Sequence, residues 1–248
     1  MSIEAVALGG LPEVRPGDDL AALIADAARG RAGDGDVVVV AHKVVSKAEG
    51  RMRALDEVQP GAPARELAAE HDKEPRHVQV VLDEAAQVLR AARGVLICVT
   101  RHGFVCANAG VDASNAPPGH VVLLPVDPDA SARALRARLL ELLGACVGVV
   151  ITDSFGRAWR HGQAEVAIGC AGIRPLDDWR GRADAGGRPL KATWIAVADQ
   201  AAGAADLARA KDSREPVVVV RGLARHVIDE DGPGAAALVR PEAEDLFR

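Results

Sequence analysis

The chain has 248 residues, 49% of them hydrophobic, which is ample for a sizeable core and makes disorder a poor expectation. Lys and Arg number 30 against 35 Asp and Glu, a net charge of −5, and only 2% of residues are aromatic, so the chain lacks the basic field and stacking platforms of a nucleic-acid binder. The first residues carry an acid and no basic leader, and no apolar run approaches the roughly 18 residues of a membrane span, so a soluble cytoplasmic protein without membrane contact is expected. Residues 3–8 read as a first strand, broken by Gly9, Gly10 and Pro12. Asp18 or Asp19 can cap the helix that follows, where Leu20, Leu23, Ile24 and Ala27 share one face. Residues 37–40 are four valines, apolar on both faces and therefore a central strand, ending at Ala41, His42 and Lys43.

Beyond that strand Lys43, Lys47 and Arg51 are spaced by four, so on a helix they share a face that could meet a polyphosphate, with a solvated basic face as the alternative. Residues 64–71 and 78–91 read as helices, with His71 and His77 at solvated ends. A strand over 95–99 leads into residues 100–115, rich in small and polar residues and without a helical period, as a ligand-facing loop would be. Asp112 is its only carboxylate. A strand over 121–124, a helix capped near Asp127 or Asp129 and running to about Leu143, and a further strand over 149–151 bring the chain to Thr152, Asp153 and Ser154. Such an excursion can return the chain beside its start, so that Asp112 and Asp153 share one metal site; hard oxygen ligands favour Mg²⁺ or Mn²⁺.

Residues 155–162 then form a basic, glycine-containing loop in which Arg157 and Arg160 are the candidates to face phosphate or an acceptor carboxylate, or else to pin the loop. A strand is expected within 163–172, a mobile loop or an insertion over 174–189, a strand over 193–197, an Ala-rich helix over 199–210 and a buried strand over 216–220. The four cysteines, Cys98, Cys106, Cys146 and Cys170, form no CxxC pair and lie among apolar or small residues, which predicts reduced, mostly buried thiols. There is no GxxxxGK[ST] loop, GxGxxG turn, GxSxG elbow or HExxH helix, and no internal repeat or low-complexity linker, so one unit over 1–248 is expected.

Several stretches together resemble a family. Residues 10–20 (GLPEVRPGDDL), 43–51 (KVVSKAEGR), 109–115 (AGVDASN) and 151–160 (ITDSFGRAWR), with 197–199 (VAD) and 219–222 (VVRG), are similar to the coenzyme F420-0:L-glutamate ligases, in order and over nearly the whole chain. The resemblance is to the stand-alone type, without the flavin-binding domain fused to some members. It implies a mixed α/β fold with mixed sheets and helices, an intertwined homodimer, and a GTP-dependent ligase that adds L-glutamate to coenzyme F420-0 through an acyl phosphate. It further implies γ-glutamyl extension of the tail, up to two divalent ions, and K⁺ as an activator. The family's metal positions carry over to Asp112, Asp153 and the hydroxyl of Ser154, and its GTP contacts to Leu11, Pro12, Glu13, Val14, His42, Lys47 and Asn115. His42 stands where a small hydroxyl residue is expected, Trp194 and Gln200 where relatives often carry Glu, and Lys211 nearest to where some members use a Gln for metal. The alternatives are a related GTP-dependent ligase acting on another carboxylate and a non-catalytic binder of nucleotide or deazaflavin.

Overall fold

The computed structural model describes residues 2–246. Its main sheet has five strands in the order β1 (Glu4–Leu8), β12 (Val217–Arg221), β2 (Val37–Ala41), β8 (Gly148–Arg157) and β9 (Arg160–Ala171). Only β2 and β8 run parallel; the other neighbours are antiparallel, so the fold is mixed α/β. The valine runs are in the middle because both faces are covered. Val38, Val40, Val149 and Ile151 pack beneath α1 (Leu20–Ala28) and α5 (Pro128–Leu143), while Val37, Val39 and Val150 pack beneath α6 (Val197–Ala208). Alternation along the strands thus feeds two cores, one per sheet face.

A third core lies around α3 (Ala62–His71), α4 (Pro75–Glu84) and a small antiparallel sheet of β4 (Ala85–Ala92), β5 (Val95–Thr100) and β6 (Val105–Ala107). Here the helix expected over 78–91 is corrected. It stops at Glu84, and residues 85–92, although good helix formers, pair as a strand with β5. Completing that sheet outweighs a weak local preference. The 100–115 stretch is likewise less open than expected, because Phe104 turns tightly on Thr100 and β6 returns along β5. His71 and His77 are not solvated: the His71 side chain is 7% exposed with Nε2 lacking a hydrogen bond, and burial, then Lys73, push the His77 pKa down.

The caps follow the chemistry expected of them. Asp19 accepts from the Ala22 N–H and Asp127 from the Ala130 N–H, while Gly144 ends α5 in the left-handed region. Residues 174–189 contain β10 (Leu176–Asp178), paired with β11 (Trp194–Ala196), and the Arg180 guanidinium lies 4.0 Å above the Trp194 ring. The largest departure is the segment expected as a basic loop over 155–162. β8 continues through it to Arg157 and returns directly as β9, so residues 155–162 are two paired strand ends and a tight turn.

Asp129, in the first turn of α5, accepts from the N–H groups of Cys170, Ala235 and Ala236 and so ties β9 and the C-terminal tail to the helix. Asp129→Ala strands two buried N–H groups and should lower unfolding stability by about 3 kcal/mol. Urea denaturation measures this, and a loss below about 0.5 kcal/mol would assign the tie no energetic weight.

Candidate functional site

The site begins with a register. β2 and β8 run parallel with Ala41 opposite Thr152, so the residues that follow, His42 and Asp153, come side by side where the strands pass the sheet's edge. His42 opens α2 (His42–Ala48), and its buried Nε2 lies 3.3 Å from Asp153 Oδ1 while Nδ1 is 3.4 Å from Ser46 Oγ. Lys43, one residue on, places Nζ 2.5 Å from Asp112 Oδ2 and 2.6 Å from Ser114 Oγ. Asp112 is held there by both backbone groups, which pair with Val122 of β7 (His120–Val122), and its carboxylate accepts the Ser114 N–H and hydroxyl. The excursion from residue 112 to 153 therefore does return, and the two carboxylates meet consecutive residues at one end of β2.

Burial pushes the Asp112 pKa upward, but hydrogen bonds from Lys43 and Ser114 outweigh it, so the carboxyl sits below its ordinary range and is ionised at neutral pH. Two hard, partly exposed carboxylates suit Mg²⁺ or Mn²⁺. Among the described residues no three His, Cys, Asp or Glu side chains are grouped to hold a metal ion, and each of these two carboxylates faces a basic side chain, Asp112 that of Lys43 and Asp153 that of His42.

Lys47, four residues beyond Lys43 on α2, is buried and reaches Glu13 Oε1 at 2.5 Å. Its loop carries the other expected nucleotide contacts: Pro12 and Glu13 line a groove of about 460 Å³, whereas Leu11 and Val14 face the core. Asn115 is exposed with a left-handed backbone, three residues beyond Asp112. Arg51 does not join Lys43 and Lys47, because it pairs with Glu84 and the Leu124 carbonyl. Nor do Arg157 and Arg160. Four strand residues carry Arg157 roughly 13 Å beyond Asp153, where it donates to the His161 carbonyl, and Arg160 is exposed at the tip.

Ser154 faces away from Asp153, as successive strand residues must. Opposite it across the hairpin stands Glu165, which the sequence reading missed. Its Oε1 accepts from Ser154 Oγ at 2.8 Å, and its Oε2 lies 3.1 Å from Arg209 Nη2, which also donates to the buried Thr152 Oγ1. Lys211 Nζ donates to Ser154 Oγ at 2.7 Å. The available signal was a lone acid inside a run of small apolar residues, QAEVAIGCAG. Burial raises the Glu165 pKa, but attraction to Arg209 and the hydroxyl bonds bring it below the glutamate range. Cys106 and Cys170 are poor nucleophiles: burial, and then Asp153, push Cys106 up to about 12, and burial does the same to Cys170.

These features describe a class: an α/β protein in which Asp153, His42 and Lys43 stand at the ends of neighbouring parallel strands, where such sheets bind ligands, and a loop brings a second carboxylate, Asp112, to Lys43. The family model for F420-0:Gamma-glutamyl ligase matches residues 10–222, and the chain belongs to that family. It is 48% identical over 254 residues to the Coenzyme F420:L-glutamate ligase of Methanopyrus kandleri, covering 97% of this chain and all of that protein. The proteins of the same name from Archaeoglobus fulgidus (45%; all of this chain, 97% of that one) and Methanothermobacter thermautotrophicus (40%; all of both) are similar throughout.

Because the folded Glu165 carboxyl is held below its unfolded value, its pair contributes fully above about pH 4.3, and that contribution is lost as pH falls through the folded value. Glu165→Gln should lower stability at neutral pH by about 3 kcal/mol and flatten its decline between about pH 5 and pH 3. Parallel stability curves for the two proteins would show that this carboxyl is not the titrating group.

Proposed function

We propose that this chain is a GTP-dependent ligase that joins the amine of L-glutamate to the carboxylate of coenzyme F420-0, with further γ-glutamyl extension, in the formation of coenzyme F420. One observation carries the reading: Asp112 and Asp153 meet consecutive residues of α2, in a chain similar along its length to proteins named for that ligation. A carboxylate is a poor electrophile until it carries a good leaving group, so two transfers are needed. The γ-phosphoryl group of GTP passes to an acceptor carboxylate oxygen, its bond to the bridging oxygen breaks, and GDP leaves. The glutamate amine then attacks the acyl carbon, the bond from carbon to the phosphate-bearing oxygen breaks, phosphate departs, and the amine proton passes to solvent.

In this reading Asp112 and Asp153 hold a divalent ion. When bound, Mg²⁺ or Mn²⁺ neutralises charge on the transferring phosphoryl group. Lys47 faces the GTP phosphates, with residues 11–14, His42 and Asn115 forming the nucleotide's surroundings. Arg157 and Arg160, out on the hairpin, bind the anionic part of the acceptor rather than the transferring group, and the working protein is a homodimer. With Cys106 and Cys170 buried and their pKa values raised, neither is a ready nucleophile, and an acyl phosphate on the substrate is favoured over an acyl-enzyme at either thiol.

The deciding experiment places oxygen-18 in the acceptor carboxylate. Label should appear in the released phosphate only when glutamate is joined, whereas phosphate labelled from water alone, with no amide formed, would leave a GTPase and sink the ligase mechanism. Asp153→Asn and Asp112→Asn should each cut turnover by at least about a hundredfold; near-normal rates with unchanged metal dependence would remove these carboxylates from the site. Lys47→Ala should raise the KM for GTP by about tenfold or more while the protein stays folded by circular dichroism. An unchanged KM would make Lys47 a structural partner of Glu13.

A further inference from the structure

On the face of β8 opposite Asp153, three oxygens from three elements converge on one cation. Lys211 Nζ lies 2.7 Å from Ser154 Oγ on β8, 3.1 Å from Asp206 Oδ1 on α6 and 3.3 Å from Glu165 Oε1 on β9. Glu165 is 7% exposed; Arg209 faces its Oε2, while Oε1 accepts from the Ser154 hydroxyl and from Lys211, which also faces the second carboxylate of the cluster, Asp206. Two carboxylates and a hydroxyl are a hard donor set of the kind that takes Mg²⁺ or Mn²⁺. Here the set is filled from within the chain. The local charges balance as Glu165 and Asp206 against Arg209 and Lys211, and a divalent ion would have to displace or face the ammonium.

The lysine is suited to that post. Burial alone would pull its pKa down, but hydrogen bonding to Asp206 and attraction to Glu165 hold it above the usual lysine value. The side chain approaches from the solvent side, 68% exposed, so changing it does not open the core.

We infer that Lys211 is a built-in cation: its ammonium occupies the position that Ser154, Glu165 and Asp206 would otherwise offer to a second metal ion, so the chain binds one divalent ion where two are expected from the resemblance. This rests on the reading of Asp112 and Asp153 as the divalent-ion site. Replacing Lys211 by Gln removes the positive charge and adds an amide oxygen beside the same three donors. The charge balance then becomes two carboxylates against one guanidinium, and the position is open to a metal ion.

The test counts Mn²⁺ bound to the full chain, in the absence of nucleotide, by electron paramagnetic resonance of the free ion after equilibrium dialysis. Wild type should bind one Mn²⁺ per chain, Asp153→Asn none, and Lys211→Gln two. Lys211→Arg, which keeps the charge, should remain at one. A wild-type count of two, or a Lys211→Gln count that stays at one in a protein with wild-type circular dichroism, would overturn the inference while leaving the Asp112 and Asp153 site standing. A wild-type count of zero, or an Asp153→Asn variant that still binds one ion, would overturn that site and the inference with it.

Discussion

The parallel pairing of β2 with β8 is the constraint on which the rest depends. Val37 to Ala41 pair in step with Gly148 to Thr152, and both strands are sealed on each face by side chains of the two main cores. A slip of one residue would turn every valine to the wrong core, so burial enforces the register strongly. The same register sets His42 beside Asp153. Geometry at the polar end is thereby inherited from packing in the apolar middle, which is how a site can be held to a fraction of an ångström by residues that never touch a ligand.

Strand alternation then divides the polar groups into two sets. Asp153 points to the α1 and α5 side, where it meets His42, and Thr152 and Ser154 point to the α6 side, where they meet Arg209, Glu165 and Lys211. The first set is partly open, and its carboxylates face His42 and Lys43. The second contains a buried ion pair, costly to desolvate, in which hydroxyl and lysine contacts satisfy Glu165 Oε1 while Oε2 has the charge of Arg209 beside it and no hydrogen bond.

Local strain marks the approach to Asp112. Asn108, Ala109 and Gly110 are all in the left-handed region, a conformation that costs free energy for the first two, and a side chain on Gly110 would run into Leu124. The buried Asn108 Oδ1 has no hydrogen bond. Such a sequence of unfavourable residues persists only where surrounding structure over-determines it; here it turns the chain from β6 so that Asp112 can pair with Val122 and present its carboxylate to Lys43.

What could be read from residues alone was what local chemistry and burial dictate without partners. The valine strands, helices capped near Asp19 and Asp127, the end of the second of these at about Leu143 and the return of the chain from the 112 loop to the 153 loop all follow from periodicity, capping and chain return. The ordered motifs from Gly10 to Gly222 marked the family. Tertiary pairing decided the remainder. Residues 85–92 are helix formers that became a strand because β5 offered a partner, and residues 155–162 have the composition of a loop yet pair because β9 runs back along them. Glu165, Arg209 and Lys211 are separated by up to 46 residues and share no motif; only the hairpin register and the seating of α6 bring their charges together. Electrostatic partners of that kind are set by three-dimensional proximity, which sequence spacing does not encode.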